Sequence, residues 1–166
     1  MNLKIILTAI TDPHQNLAFE EYLFETADED TATMYLWTNA STVVIGRNQN
    51  PWRECKVELL EKDGGKLSRR TTGGGAVYHD LGNLNFSFIM SKEAYSVQRQ
   101  LGVIIEAVRS LGIDAEFSGR NDILACGRKF SGNAFAVRKN GALHHGTLLI
   151  NADMDMLTHY LTVSEK

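Results

Sequence analysis

The chain has 166 residues, 43% apolar and 22% charged, with a formal net charge of −3. That size buries a core without staples, and the unclustered Lys and Arg argue against a dedicated nucleic-acid binder. No apolar run approaches the roughly 20 residues of a membrane span, and two cysteines without C-x-x-C suit two free thiols in a reducing cytoplasmic setting.

Leu3 to Thr8 reads as a first strand rather than a signal peptide. Asp12-Pro13 starts a helix, Asp as cap and Pro at the first helical position. Leu17, Ala18, Tyr22 and Leu23 recur at helical spacing, with Glu20, Glu21 and Glu25 mostly on the other face. Thr33 to Trp37 and Thr42 to Ile45 are strand-like, and the polar loop Gly46-Arg47-Asn48-Gln49-Asn50 follows. Pro51 through Lys62 reads as one helix stopped by Asp63-Gly64-Gly65.

Arg69-Arg70-Thr71-Thr72-Gly73-Gly74-Gly75 comes next. Glycines let a backbone approach a ligand closely, and flanking guanidinium groups and loop amides suit an anion. The stretch matches neither a Walker loop nor G-x-G-x-x-G.

Asn83 to Met90 alternates as a half-buried strand, Glu93 to Leu111 is an amphipathic helix closed by Gly112, and Ala115 to Phe117 is a short strand. Asn140-Gly141 between strand-like runs predicts a two-residue hairpin turn. That turn pairs Lys139 with Ala142, Asn133 with Leu148 and Ser131 with Ile150, so Lys129 lies at the open end. Asp153 to Leu161 is the last helix. The irregular alternation predicts α/β in the α+β sense: a mixed sheet with packed helices, residues 1–166 forming one domain.

Several residues carry chemistry. Lys129, between Gly127 and Gly132, suits a phosphate as a point charge. Asn121 and Asp122 suit a turn cap or oxygens for Mg²⁺. His144 and His145 point to opposite faces of a strand and cannot easily share one metal ion; one belongs in the core or behind the site and one near the site. Cys126 follows an apolar run and reads as inert packing.

The blocks occur in a specific order: Asn16-Leu17-Ala18-x-Glu20-Glu21, Val44-Ile45-Gly46-Arg47-Asn48-Gln49, and Arg70-x-x-Gly73-Gly74-Gly75-Ala76-Val77-Tyr78-His79-Asp80-x-Gly82-Asn83. Gly119-Arg120-Asn121-Asp122, Arg128-Lys129-x-Ser131-Gly132-Asn133-Ala134 and His145-Gly146-Thr147-Leu148-Leu149 follow. Together they strongly resemble the lipoate–protein ligase family. The resemblance implies a biotin/lipoate ligase catalytic-domain fold related to class II tRNA synthetases. It implies that ATP with Mg²⁺ converts lipoate to lipoyl-AMP, and that a lysine of an acceptor takes the acyl group. Those acceptors would be 2-oxoacid dehydrogenase lipoyl domains or the glycine-cleavage H protein.

By match to the motifs, Lys129 bridges the lipoyl carboxylate and the α-phosphate. Arg70, Gly73, Gly74 and Gly75 line the acyl-adenylate. His79, Asn83, Asn121 and Ser131 serve the nucleotide and phosphates, and Asp122 faces Mg²⁺. Val44, Val77, Tyr78, His145 and Leu148 border the acyl pocket. Bacterial members usually continue past Ser164-Glu165-Lys166 into a basic segment and an accessory domain. The resemblance therefore predicts a truncated or naturally short form, with a separate C-terminal subunit as a candidate partner. Two alternatives stand beside the ligase: an octanoyltransferase using Cys126 as acyl carrier, and a lipoate-binding chain that needs its C-terminal partner for chemistry.

Overall fold

A computed structural model describes residues 1–119 and 121–162. Arg120 and the Ser164-Glu165-Lys166 end lie outside the described residues. The strands are β1 (Asn2–Leu7), β2 (Thr31–Thr38), β3 (Thr42–Ile45), β4 (Lys66–Arg69), β5 (Val77–His79), β6 (Asn83–Met90), β7 (Ala115–Ser118), β8 (Asp122–Ala125), β9 (Arg128–Val137) and β10 (Ala142–Leu149). The helices are α1 (Pro13–Glu25), α2 (Pro51–Glu54), α3 (Val57–Lys62), α4 (Val97–Ser110) and α5 (Met154–Tyr160). None is long and apolar enough to cross a membrane among the described residues.

Seven strands form one sheet in the order β1-β2-β6-β10-β9-β8-β7, and β4-β3-β5 form a second. The β1–β2 and β3–β4 pairs are parallel and the rest antiparallel, so both sheets are mixed as expected. One face of the large sheet packs under α4 around Phe86, Phe88, Leu101 and Ile104. The opposite face meets α1 through Leu23, Phe24, Tyr35 and Trp37. A third cluster joins the small sheet to α3 and α5 through Val43, Ile45, Leu60, Tyr78 and Tyr160. Strand β6 is therefore covered on both sides and nearly all buried, not half-buried as its alternation predicts.

Local signals fix both helix starts. The Asp12 carboxylate accepts from the amides of His14 and Gln15 at 3.0 Å, with Pro13 opening α1. Asp153 caps α5 in the same way. Helix α4 starts at Val97, later than Glu93, because the Ser96 hydroxyl caps it there.

Tertiary contacts overrule three expectations. The single helix over Pro51–Lys62 is broken, because Lys56 N–H donates to Tyr160 O and Cys55 bridges Leu161. Helix α1 buries Asn16 and Glu20 while Tyr22 is exposed, so its inner face is partly polar. The β9–β10 hairpin pairs Val137 with Ala142 and Asn133 with Gly146, two residues away from the expected register. No Asn-Gly turn with positive φ forms. Instead Arg138 N–H donates to Gly141 O, its guanidinium pairs with Glu21 and Glu25, and Asn140 Nδ2 donates to Glu25 O. Helix α1 thereby sets the hairpin register. A shift of two keeps every side chain on its face.

Candidate functional site

A cavity of about 220 Å³ lies between the small sheet and the large one. Register places Trp37 of β2 beside Asn85 of β6, and Asn85 beside Thr147 of β10. These three line one wall with Lys129, Asn133 and Ala134 of β9. Facing them are Val44 of β3, Val77 and His79 of β5, and the Gly74-Gly75-Ala76 loop. Leu17 of α1 completes the apolar part.

The glycine loop is held in place before any ligand arrives. Arg70 is 8% exposed and donates from Nε and Nη2 to Gly73 O, from Nη2 to Gly75 O at 2.7 Å, and from Nη1 to Val44 O. Burial lowers the Arg70 pKa, partly offset by the Glu20 carboxylate. The Gly73 and Gly75 carbonyls are thus turned to Arg70, and the amides of Gly73, Gly74 and Gly75 donate to nothing among the described residues. Gly74 has φ of 100°, where only glycine sits without strain.

A second anchor runs through Glu20, which is 2% exposed. His145 Nδ1 donates to its carboxylate at 2.9 Å, and His145 Nε2 accepts from the Thr72 hydroxyl at 2.7 Å. Ser87 donates to the same carboxylate and accepts from Trp37 Nε1 at 3.1 Å. One buried carboxylate therefore orients the cavity tryptophan and ties down the glycine loop. Reading α1 by apolar spacing missed Glu20. Its signal is helical spacing: Glu20 lies three or four residues from Leu17, Leu23 and Phe24, on the apolar stripe of α1.

His79 is buried and its pKa is pushed down to about 3, first by desolvation and then by the Arg70 charge. It is neutral. Asn39 Nδ2 donates to its Nδ1, which leaves the proton on Nε2, an unpartnered buried donor in a cavity-lining residue. The Asn85 amide nitrogen, also buried, is a second such donor.

Lys129 Nζ lies 2.8 Å from Asp122 Oδ1, and both side chains are about half-exposed. Asn121 lines the same region. Asp122 is the one carboxylate in the cavity wall, and no group of three His, Cys, Asp or Glu residues converges among the described residues. Asp122 and the Asn121 amide are oxygen donors that a hard cation could use there, too few for an all-protein site.

The structure brings Lys129, Arg70, Gly74, Gly75, Val44, Val77, His79, Asn121, Asp122 and His145 to one cavity. It does not bring Gly73, Tyr78, Asn83, Ser131 or Leu148 into the wall. Gly73 is exposed with its carbonyl on Arg70. Tyr78 packs on Tyr160 and donates to Ser41. Asn83 lies one strand step behind Asn85 and donates to it at 3.0 Å. Ser131 is fully buried against the Asn133 amide. Leu148 packs into the α4 cluster on the other face of the sheet. The two histidines divide as expected: His144 is fully buried among Phe86, Phe88 and Phe135, and its Nε2 donates to Asn133 Oδ1. Trp37, Asn85, Asn133, Ala134, Gly146 and Thr147 were missed, because cross-strand register rather than residue type selects them, and Leu17 was missed because the packing of α1 on the sheet brings it there. Cys126 is an exposed free thiol at the β8–β9 turn, with φ of 50° and outside the cavity wall.

Residues 12–166 match the model of the lipoyl protein ligase A/B catalytic domain. A curated relative, lipoate-protein ligase A of Psychrobacter cryohalolentis, is 50% identical over 161 residues, covering 97% of this chain and 48% of the relative. The chain spans about half the length of the curated relatives it matches. The structure of P. falciparum LipL1 in complex with lipoate superposes with a TM-score of 0.91 at 34% identity, over 99% of this chain and 53% of that one. A lipoate-protein ligase A bound with ATP gives 0.90 at 31% identity, over 99% and 73%.

Proposed function

The chain belongs to the lipoyl protein ligase A/B catalytic-domain family, and from that premise we propose that it joins lipoate to an acceptor protein at the expense of ATP. In the first step a lipoate carboxylate oxygen bonds to the α-phosphorus and pyrophosphate leaves, giving lipoyl-AMP. In the second an acceptor lysine amine bonds to the acyl carbon, loses a proton and expels AMP. The acceptors are lipoyl domains of 2-oxoacid dehydrogenases or the glycine-cleavage H protein.

The observation that carries this reading is the glycine loop. Its carbonyls are clamped by Arg70, its amides are unpaired among the described residues, and Lys129 lines the same cavity. Two anions must meet in the first step, so fixed positive ends have to offset their repulsion and the charge that builds in the transition state. Loop amides and Lys129 supply these ends. Leu17, Trp37, Val44 and Val77 give the acyl chain a dry wall. Asp122 keeps Lys129 in place until phosphate oxygens compete for it, and Asn121 adds a polar group beside them. A magnesium ion accompanying the nucleotide would neutralise phosphate charge, with Asp122 as its protein oxygen. No protein nucleophile is needed, so the reaction is largely positioning.

The test is calorimetric titration with lipoate and then with lipoate plus Mg·ATP, following pyrophosphate. Binding with pyrophosphate release supports the proposal. Binding alone limits the chain to holding lipoate, and no binding refutes the reading.

A further inference from the structure

A second groove lies on the outer side of the glycine loop, lined by Arg47, Arg69, Arg70, Thr71 and Arg138. It shares only Arg70 with the acyl cavity. The chain as a whole carries a net charge of −3, so four guanidinium groups around one groove are a local reversal of sign.

Three of these groups are fixed by the fold. Arg69 Nη1 donates to the carbonyls of Gly46, Arg47 and Gln49 at 3.0, 3.1 and 2.8 Å. Its Nε and Nη2 hydrogens have no partner among the described residues. Arg138 uses Nη1 on Glu21 and Glu25 and stacks over Phe24 at 4.8 Å, again leaving Nε and Nη2. Arg70 is held by the loop carbonyls. The Arg47 backbone N–H is tied to Thr72 O at 2.8 Å, yet its guanidinium makes no hydrogen bond or ion pair among the described residues. Thr71 Oγ1 is buried and has no hydrogen-bond partner among the described residues.

The acidic groups nearby are already engaged: Glu21 and Glu25 with Arg138, and Glu20 with His145 and Ser87. The groove therefore presents many fixed donors to a ligand rich in acceptors. The geometry points to a phosphate-binding groove behind the glycine loop, separate from the acyl cavity and taking an oligophosphate such as pyrophosphate. Phosphoryl oxygens converge on one small volume, matching guanidinium forks and one hydroxyl. An anion bound there bridges Arg47 and Arg69 to the loop start. It steadies the same segment that Arg70 and Thr72 hold from the other side. The inference goes beyond the acyl-transfer reading and stands without it.

Calorimetry with sodium pyrophosphate and sodium phosphate, free of magnesium and nucleotide, tests this on the wild type, Arg47→Ala and Lys129→Ala. The Arg47 side chain makes no hydrogen bond or ion pair among the described residues, so Arg47→Ala should melt like the wild type. Pyrophosphate is expected to bind, to weaken about tenfold in Arg47→Ala and by clearly less than that in Lys129→Ala, with Arg47→Lys recovering part of the loss. Tighter binding of pyrophosphate than of phosphate identifies an oligophosphate, and equal binding a single phosphoryl group; either supports the groove. No binding overturns it, as does loss in Lys129→Ala equal to or larger than that in Arg47→Ala. Binding of poly-glutamate but of neither phosphate also overturns it, assigning the groove to an acidic protein.

Discussion

Gly46→Ala is the most direct probe of the clamped loop. Gly46 follows β3, and a Cβ built there lies 2.2 Å from the carbonyl oxygen of Gly74, whereas real Cβ atoms stay at least 3.0 Å from such neighbours. Either Gly74 or the strand end must retreat by about 0.8 Å. The strand end is held by Arg69 Nη1 on Gly46 O and by Gln49 Oε1 on Gly46 N–H. Gly74 is exposed and is the softer side. Its retreat pulls Gly73 O and Gly75 O from the 2.8 and 2.7 Å bonds to Arg70 Nη2. Overpacking of this kind costs about 1–3 kcal/mol, which lowers the Tm of a chain this size by about 2–10 °C. Misplaced amides also lose at least ~1.4 kcal/mol of ligand binding, about tenfold in Kd. The assay is calorimetry with lipoate beside a thermal melt. Gly73→Ala is the control, since a Cβ there meets nothing within 4 Å, and it should bind and melt like the wild type. Unchanged binding and Tm in Gly46→Ala, or an equal loss in Gly73→Ala, would refute the clamp.

Lys129→Ala should slow pyrophosphate release by ~3 kcal/mol, at least a hundredfold, while leaving Tm unchanged because its one ion-pair partner among the described residues is the half-exposed Asp122; near-normal turnover removes Lys129 from the chemistry. Cys126→Ser should keep full acyl transfer, since the thiol lies outside the cavity wall, and loss of transfer would revive the acyl-cysteine alternative. Burial pushes the pKa values of His79 and His144 down to about 3. Between that value and the ordinary 6.5 the unfolded chain binds protons that the folded chain does not. The contribution is therefore intact above pH 6.5 and lost as pH falls, by about 1.4 kcal/mol per pH unit for each site. Urea unfolding between pH 6.5 and 4.5 measures the slope, and His144→Gln should reduce it by about half. An identical slope in wild type and variant would show that His144 is not buried neutral.

What was legible in the sequence was local or chemical. Asp12-Pro13 and Asp153 announce their helices because a cap needs only its next few amides. The glycine loop, Lys129 and His145 stand out because their residue types have few structural uses in that combination. The rest is decided across the fold. Strands β4 and β5 are too short to show a period and exist through pairing with β3. The hairpin register depends on Arg138 reaching two glutamates on α1. Trp37 and Asn85 become cavity residues through strand partners far away in sequence.

Arg70 shows how a correct location can accompany a different physical role. From sequence it is a cation waiting for an anion. In the fold it is largely occupied by carbonyl oxygens, and its effect on a ligand passes through the amides it leaves unpaired. Fixing one residue's backbone costs about 1–2 kcal/mol of entropy, and glycine loses the most. A loop of three glycines that had to order on binding would give up much of its affinity. Here Arg70 grips the loop through Gly73 and Gly75, while His145, itself set by Glu20, grips it through Thr72. The ordering is met during folding by buried polar contacts, so ligand binding energy remains available for the charged step. That is the physical reason for a buried arginine and a buried glutamate to flank so flexible a sequence.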